Sequence, residues 1–123
     1  MSQNFKNLEA WQMARSLRND IKEMTITFPK DEKFKLTDQM IRASRSVTAN
    51  IAEGFGRYHF QENIQFCRHA RGSLTELIDH LSVANDEGYI EEQQRIEFET
   101  KIESCLKILN GYIRFLKSSK DKK

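Results

Sequence analysis

The sequence predicts an all-α protein, an antiparallel up-down-up-down four-helix bundle. Apolar residues recur every three or four positions in four successive segments, which is the spacing of one face of a helix. The 123 residues include one proline and five glycines, so few positions would interrupt a helix. Charged residues make up 31% of the chain, which suits the solvated faces of helices. Short connections between such helices favour antiparallel neighbours.

The first predicted helix covers residues 7–27 and carries one continuous apolar stripe. Asn7 is its predicted N-cap, and Pro29 closes the segment because the residue before a proline is displaced from helical dihedrals. The second predicted helix covers residues 33–54; it begins between Asp31 and Thr37, and either of these two residues could be its N-cap. Gly54 and Gly56 are expected to supply left-handed positions at its C-terminal end.

The third and fourth predicted helices cover residues 60–86 and 91–117. The stripe of the fourth helix repeats at intervals of four and three, which is the period of a bundle seam. Residues 1–117 are therefore predicted to form one domain, and residues 118–123 a basic, flexible tail. Three further apolar residues widen the stripe of the fourth helix and predict a second buried face between subunits: Ile108, Ile113 and Phe115.

Composition excludes several classes of protein. The net charge of +2 is no signature of nucleic-acid binding, and no apolar run approaches the roughly 18 residues that a membrane span needs. Cys67 and Cys105 lie on apolar stripes, offset by about 9 Å along the bundle, which exceeds the reach of a disulfide. We therefore expect buried free thiols, a cytoplasmic location and no membrane contact.

The sequence contains no recognisable catalytic or metal-binding motif. His69 and His80 would lie about 16 Å apart along one helix, too far to share an ion, and Glu76 with His80 is predicted to form a surface pair. The inward-facing Glu-x-x-His pairs of di-metal bundles are absent. We expect no catalytic residue, metal, cofactor or small-molecule substrate.

Two groups of polar residues on and around the second helix are candidate contact sites. The first is a stripe that favours interhelix or subunit hydrogen bonds over ligand binding: Gln39, Ser46, Asn50 and Glu53. The second is a basic region, followed by Tyr58 and His59, which could stack on bases: Lys30, Lys33, Lys35, Arg42, Arg45 and Arg57. Basic residues interleaved with aromatics suit single-stranded RNA, although the residues alone favour a solvated surface.

Several segments resemble the four-helix bundle family named for proteins encoded in intervening sequences of bacterial 23S ribosomal RNA genes. The similarity covers residues 5 to about 117, but Ile41 and Thr48 replace an arginine and a proline that the family usually has. The matching residues are Gln39, Arg42-Ala43, Ser46-Val47, Asn50-Ile51-Ala52-Glu53-Gly54, Gly56-Arg57, Ala70, Gly72-Ser73-Leu74, Glu76-Leu77 and Gly88-Tyr89-Ile90.

The resemblance implies a homo-oligomer, specifically a pentamer. A similar protein is the accessory component of diversity-generating retroelements, in which a basic pentameric barrel binds reverse transcriptase and RNA. The implied function is a non-enzymatic scaffold that binds RNA, or a reverse-transcriptase-like protein, through the basic region. The alternative is an assembly module that recognises only proteins, through apolar grooves between helices.

Overall fold

The computed structural model describes residues 4–121, which form four long helices. Each helix packs against the next along the chain, and the fourth packs against the first, which closes the bundle. No described residue lies in a strand. The predicted all-α four-helix bundle is therefore confirmed. The helices are α1 (Glu9–Thr25), α2 (Leu36–Phe55), α3 (Phe60–Asp86) and α4 (Glu92–Asp121), with 3₁₀ turns at Phe5–Asn7 and Lys30–Glu32.

The core lies where the apolar stripes of the four helices meet. Every helix contributes side chains that are essentially excluded from solvent, so the burial of each stripe stabilises the bundle as a whole. The largest are Ile21, Met40, Val47, Ile51, Leu74, Leu77, Leu81, Ile102 and Leu109.

Helix α2 begins three residues later than predicted because the chain first makes the 3₁₀ turn at Lys30–Glu32. The Glu32 carboxylate accepts a hydrogen bond from the Leu36 N–H at 3.2 Å, and thus caps α2 from outside the helix. Its other oxygen accepts from the Tyr89 hydroxyl at 2.6 Å. That bond raises the pKa of Tyr89 to about 12 and ties the α1–α2 connection to the α3–α4 connection.

The prediction that Gly54 and Gly56 adopt left-handed conformations is wrong. Gly54 is buried inside α2, and Gly56 has a right-handed φ of −76°. The left-handed residue of the connection that follows α2 is Tyr58, at φ 65°. Gly54 serves close packing instead, because a Cβ there would lie 2.7 Å from the Asn63 Oδ1 atom.

The helix ends differ from the predicted ones in two further places. Asn7 belongs to the first 3₁₀ turn, and Leu8 occupies the N-cap position of α1. Helix α4 runs to Asp121, into the segment predicted to be a flexible tail. No glycine or proline interrupts the chain there. Residues 122–123 of that segment lie outside the described residues.

The two cysteines are buried free thiols. Burial raises the pKa of Cys67 to about 12 and that of Cys105 to about 11. The Cys67 Sγ also donates to Asn63 Oδ1 at 3.5 Å. Both thiols are therefore held in the protonated form, which is the unreactive one.

We expect both thiols to resist thiol–disulfide exchange in the folded protein at pH 8. A pKa raised by two units or more lowers the thiolate fraction by about 100-fold, and burial also blocks access. Reaction with a chromogenic disulfide should release almost no colour until denaturant is added, after which both thiols react. Rapid reaction of one thiol in the native protein would contradict the described burial.

Candidate nucleic-acid interface

A groove runs between α1 and α2 on the surface of the bundle. On its α1 side lie Arg18 and Lys22, which are one helical turn apart and therefore on the same face. The Arg18 Nη1 atom donates to the Thr48 hydroxyl at 3.0 Å, which ties the guanidinium to α2. The apolar stripe of α1 fixes this orientation, because burying that stripe turns both basic residues toward the edge shared with α2.

One end of the groove is a cavity of about 370 Å³. The α2 side of this cavity contributes Arg45 together with Ile41 and Ser44. Ser44 is buried and donates to the Ile41 carbonyl at 2.9 Å, so the floor is neutral and its polar group is satisfied. The charge in this cavity therefore comes from the basic side chains of both helices.

A second cavity of about 420 Å³ continues the groove toward the α1–α2 connection. It shares Lys22, Ile41 and Arg45 with the first, so the two form one continuous surface, named here the α1–α2 groove. The additional residues that line the second cavity are Thr25, Ile26, Lys33, Phe34, Thr37 and Asp38.

The α1–α2 groove is strongly basic although the whole chain is nearly neutral. Among the described residues that line it, four are cationic: Arg18, Lys22, Lys33 and Arg45. One carboxylate also lines it, that of Asp38, and the Arg42 guanidinium pairs with this carboxylate at 2.9 Å. The groove thus presents an excess of positive charge to solvent.

The second cavity also exposes apolar surface beside these charges. Phe34 is 84% exposed and Ile26 is 69% exposed. The Lys33 ammonium lies 5.5 Å from the centroid of the Phe34 ring. An exposed aromatic ring among cations can contact both the flat face of a nucleobase and its phosphate.

Comparison with known proteins agrees with the fold. The family described as 23S rRNA-intervening sequence protein matches residues 6–111 of the chain. The chain belongs to this family. The resemblance predicted from the sequence is therefore confirmed, and the family is a non-catalytic one without an established function. No curated protein matches the chain.

In this family member, the predicted basic residues lie in different parts of the structure. Lys33 and Arg45 line the α1–α2 groove, and Arg42 lies beside it, paired with Asp38. Lys30 and Lys35 are exposed on the connection that leads into α2.

Arg57 belongs to the other end of the bundle. It follows Arg45 by 12 residues, which is about 18 Å of helical rise. Its guanidinium pairs with Glu53 at 3.0 Å and with Glu62 at 3.8 Å, and it lies 5.1 Å from the Phe66 ring centroid. These carboxylates offset its charge, so Arg57 does not extend the groove.

Sequence reasoning missed three residues of the groove: Arg18, Lys22 and Phe34. The spacing of Arg15, Arg18 and Lys22 at three and four residues marks a basic face of α1, and this signal was available in the sequence. No sequence pattern indicates that Phe34 is exposed, because an isolated phenylalanine in a connection between helices is usually assigned to the core. The stacking candidates chosen instead, Tyr58 and His59, lie at the opposite end of the bundle, beside the end of α4.

The four residues of the predicted polar stripe of α2 have different partners, and Ser46 is the one hydrogen-bonded to α3 among the described residues. Ser46 accepts a hydrogen bond from the Ser73 hydroxyl at 2.9 Å, which joins the two helices. Asn50 stays within α2 and donates to the Ser46 carbonyl at 2.8 Å. Glu53 pairs with Arg57, as described above, and Gln39 is exposed.

The three residues predicted to form an oligomer face occupy different environments. Ile113 is 3% exposed and belongs to the core of its own chain, so its assignment to a face between subunits is corrected. It follows Leu109 by four residues and therefore shares the buried face of α4. Ile108 is half-buried between α1 and α4. Phe115 is 61% exposed at the end of the bundle where Tyr58 is 91% exposed.

Within the described part of the chain, no three His, Cys, Asp or Glu side chains approach closely enough to hold a metal ion. His80 and Glu76 form the predicted pair at 2.9 Å, but the imidazole is nearly buried rather than on the surface. None of the helices formed by residues 4–121 has the length and apolar character needed to cross a membrane.

Proposed function

We propose that this protein binds RNA through the α1–α2 groove and acts as a non-enzymatic scaffold in the cytoplasm. The observation that carries the proposal is the convergence of four cations on one groove in a chain whose net charge is only +2. The carboxylate of Asp38, which lines the groove, is already paired with Arg42. A phosphate backbone placed along the groove would neutralise these cations and release counterions, which drives association at low salt.

The cations come from two helices and the connection between them, so they follow a line rather than one point. Arg18 and Lys22 lie along α1, Arg45 faces them from α2, and Lys33 extends the line toward the connection. A linear arrangement suits a polymer of regularly spaced charges better than a single small anion. The Thr37 hydroxyl, which also lines the groove, adds a neutral group that can donate a hydrogen bond to a phosphate oxygen.

Reversing two groove charges should abolish most of the RNA affinity. The double variant Lys22→Glu with Arg45→Glu is expected to weaken binding of a short RNA by at least about tenfold at low salt. It should also reduce the slope of log affinity against log salt by about 1.4, because two phosphate contacts are lost. Fluorescence anisotropy of a labelled oligonucleotide at several salt concentrations measures both quantities.

The matched control reverses two exposed charges elsewhere, Arg68→Glu on α3 with Lys107→Glu on α4. The net charge of this control changes by the same amount as that of the groove variant. It should therefore weaken RNA binding only through the general electrostatic effect, by about twofold. Equal losses in the two double variants would place the RNA elsewhere. Failure of the unaltered protein to bind RNA at low salt would end the proposal.

We also propose that the protein forms a homo-oligomer, for which the family resemblance suggests five chains. The exposed rings of Phe115 and Tyr58 support this idea, because they border a largely apolar cavity of about 320 Å³ at one end of the bundle. Light scattering on the purified protein tests it. A mass near 14.5 kDa at micromolar concentration would contradict it.

The same exposed rings favour the second candidate function, an assembly module that binds only protein, such as a reverse-transcriptase-like enzyme. Such a complex would be insensitive to nuclease and would weaken little with salt, because apolar burial is not screened. A purified partner retained under both conditions, together with absence of RNA binding, would favour this function over the first.

A further inference from the structure

Phe34 is placed unlike any other aromatic residue near the α1–α2 groove. It lies between the 3₁₀ turn at Lys30–Glu32 and the start of α2, and 84% of its side chain is exposed. Phe28, six residues earlier, is buried in the core against the Tyr89 ring. The connection therefore already has its apolar anchor, and the packing of the chain does not require Phe34.

The surroundings of Phe34 combine an apolar floor with positive charge. Ile26, itself 69% exposed, lines the same cavity from the end of α1. Lys22 and Arg45 line the cavity farther along, and Lys33 holds its ammonium 5.5 Å from the ring centroid. An apolar, flat surface beside several cations matches a nucleotide, whose base has a π-face and whose phosphate is anionic.

A paired base cannot reach such a ring. In a duplex the bases are stacked on one another, and the outside presents mainly sugar and phosphate. In a single strand, a base can swing out and stack on an aromatic side chain while the phosphates follow a basic groove. The cations of the α1–α2 groove alone would accept either form, so Phe34 is the element that distinguishes them.

We propose that the α1–α2 groove selects single-stranded polynucleotide, with one unpaired base stacked on Phe34. This inference rests on the proposed RNA binding and deepens it. The stacked base lies in the cavity between Ile26 and Phe34, and the flanking phosphates contact Lys33, Lys22 and Arg45. The selectivity is for strand form rather than for base identity, because every base has a π-face.

The test compares the unaltered protein, Phe34→Ala and Phe34→Trp on three labelled probes of one sequence: single-stranded RNA, single-stranded DNA and duplex RNA. Phe34→Ala should weaken binding to the single strands by about 5- to 150-fold and leave binding to the duplex unchanged. Phe34→Trp should restore single-strand binding, since a larger ring still stacks. Because Phe34 is so exposed, neither change should disturb folding, which circular dichroism verifies.

Ile96→Ala is the matched control, because Ile96 is another large apolar side chain exposed to solvent, at 44%, and it lies on α4 rather than along the α1–α2 groove. It should leave binding of all three probes unchanged. Equal losses in Ile96→Ala and Phe34→Ala would overturn the assignment of the base to Phe34.

The outcomes distinguish failure of the stacking proposal from failure of the proposed RNA binding. If Phe34→Ala binds single strands as well as the unaltered protein, while Lys22→Glu with Arg45→Glu fails to bind, the stacking proposal is overturned and RNA binding stands. If the unaltered protein binds none of the probes, the proposed function itself fails. Equal effects on RNA and DNA support stacking without recognition of the ribose 2′-hydroxyl, and an effect on RNA alone supports stacking with such recognition.

Discussion

Leu77→Ala is expected to lower the free energy of unfolding by about 2–5 kcal/mol. Leu77 is fully excluded from solvent near the middle of α3, which packs against both α2 and α4. Removing its side-chain atoms loses their transfer free energy and leaves a cavity that the surrounding helices cannot fill completely. Urea denaturation followed by circular dichroism, at one fixed protein concentration, measures the change.

Val83→Ala on the same helix is the matched control. Val83 is 39% exposed, so its truncation should change the free energy of unfolding by no more than about 0.5 kcal/mol. A loss comparable with that of Leu77→Ala would mean that Val83 is covered in solution, as it would be in a subunit interface.

Gly54→Ala is expected to destabilise the protein by about 1–3 kcal/mol, although alanine is the better helix former. The new Cβ would meet Asn63 Oδ1 at 2.7 Å, Phe66 Cβ at 2.9 Å and the Asn63 backbone carbonyl at 3.1 Å. The side-chain amide could rotate, but the backbone and Cβ atoms of α3 move only if the helix moves. Thermal unfolding should therefore show a lower midpoint temperature.

Gly72→Ala should change the stability in the opposite direction from Gly54→Ala, which makes it an informative comparison. Gly72 is exposed within α3, and among the described residues nothing lies within 4 Å of the position its Cβ would take. Alanine there should stabilise the protein by about 0.5–1 kcal/mol, because glycine loses more conformational freedom on folding. If both substitutions raise the unfolding temperature, α2 and α3 are less closely packed than described.

Local sequence signals were enough to locate the helices. The three- and four-residue spacing of apolar residues depends only on helical geometry, so Leu74, Leu77 and Leu81 could be assigned to the core without a structure. Helix ends were less predictable. The cap of α2 comes from the Glu32 side chain, and a distant hydroxyl, that of Tyr89, holds this residue in place.

The roles of individual glycines depended on packing between helices. From the sequence, Gly54 is predicted to end a helix. The structure shows Gly54 in contact with α3 and Gly72 facing open space among the described residues. Both are compatible with a helix, and only the neighbouring helix distinguishes them.

The candidate site shows the same difference between local sequence signals and packing between helices. Periodicity within one chain segment established four amphipathic helices, their buried faces and a basic tendency around α2. It could not establish that Arg18 and Lys22 of α1 face Arg45 of α2, or that Arg57 lies at the far end of the bundle against two carboxylates. Helical spacing follows from backbone geometry and is local, whereas the pairing of two helix edges depends on which edges the shared core leaves beside each other.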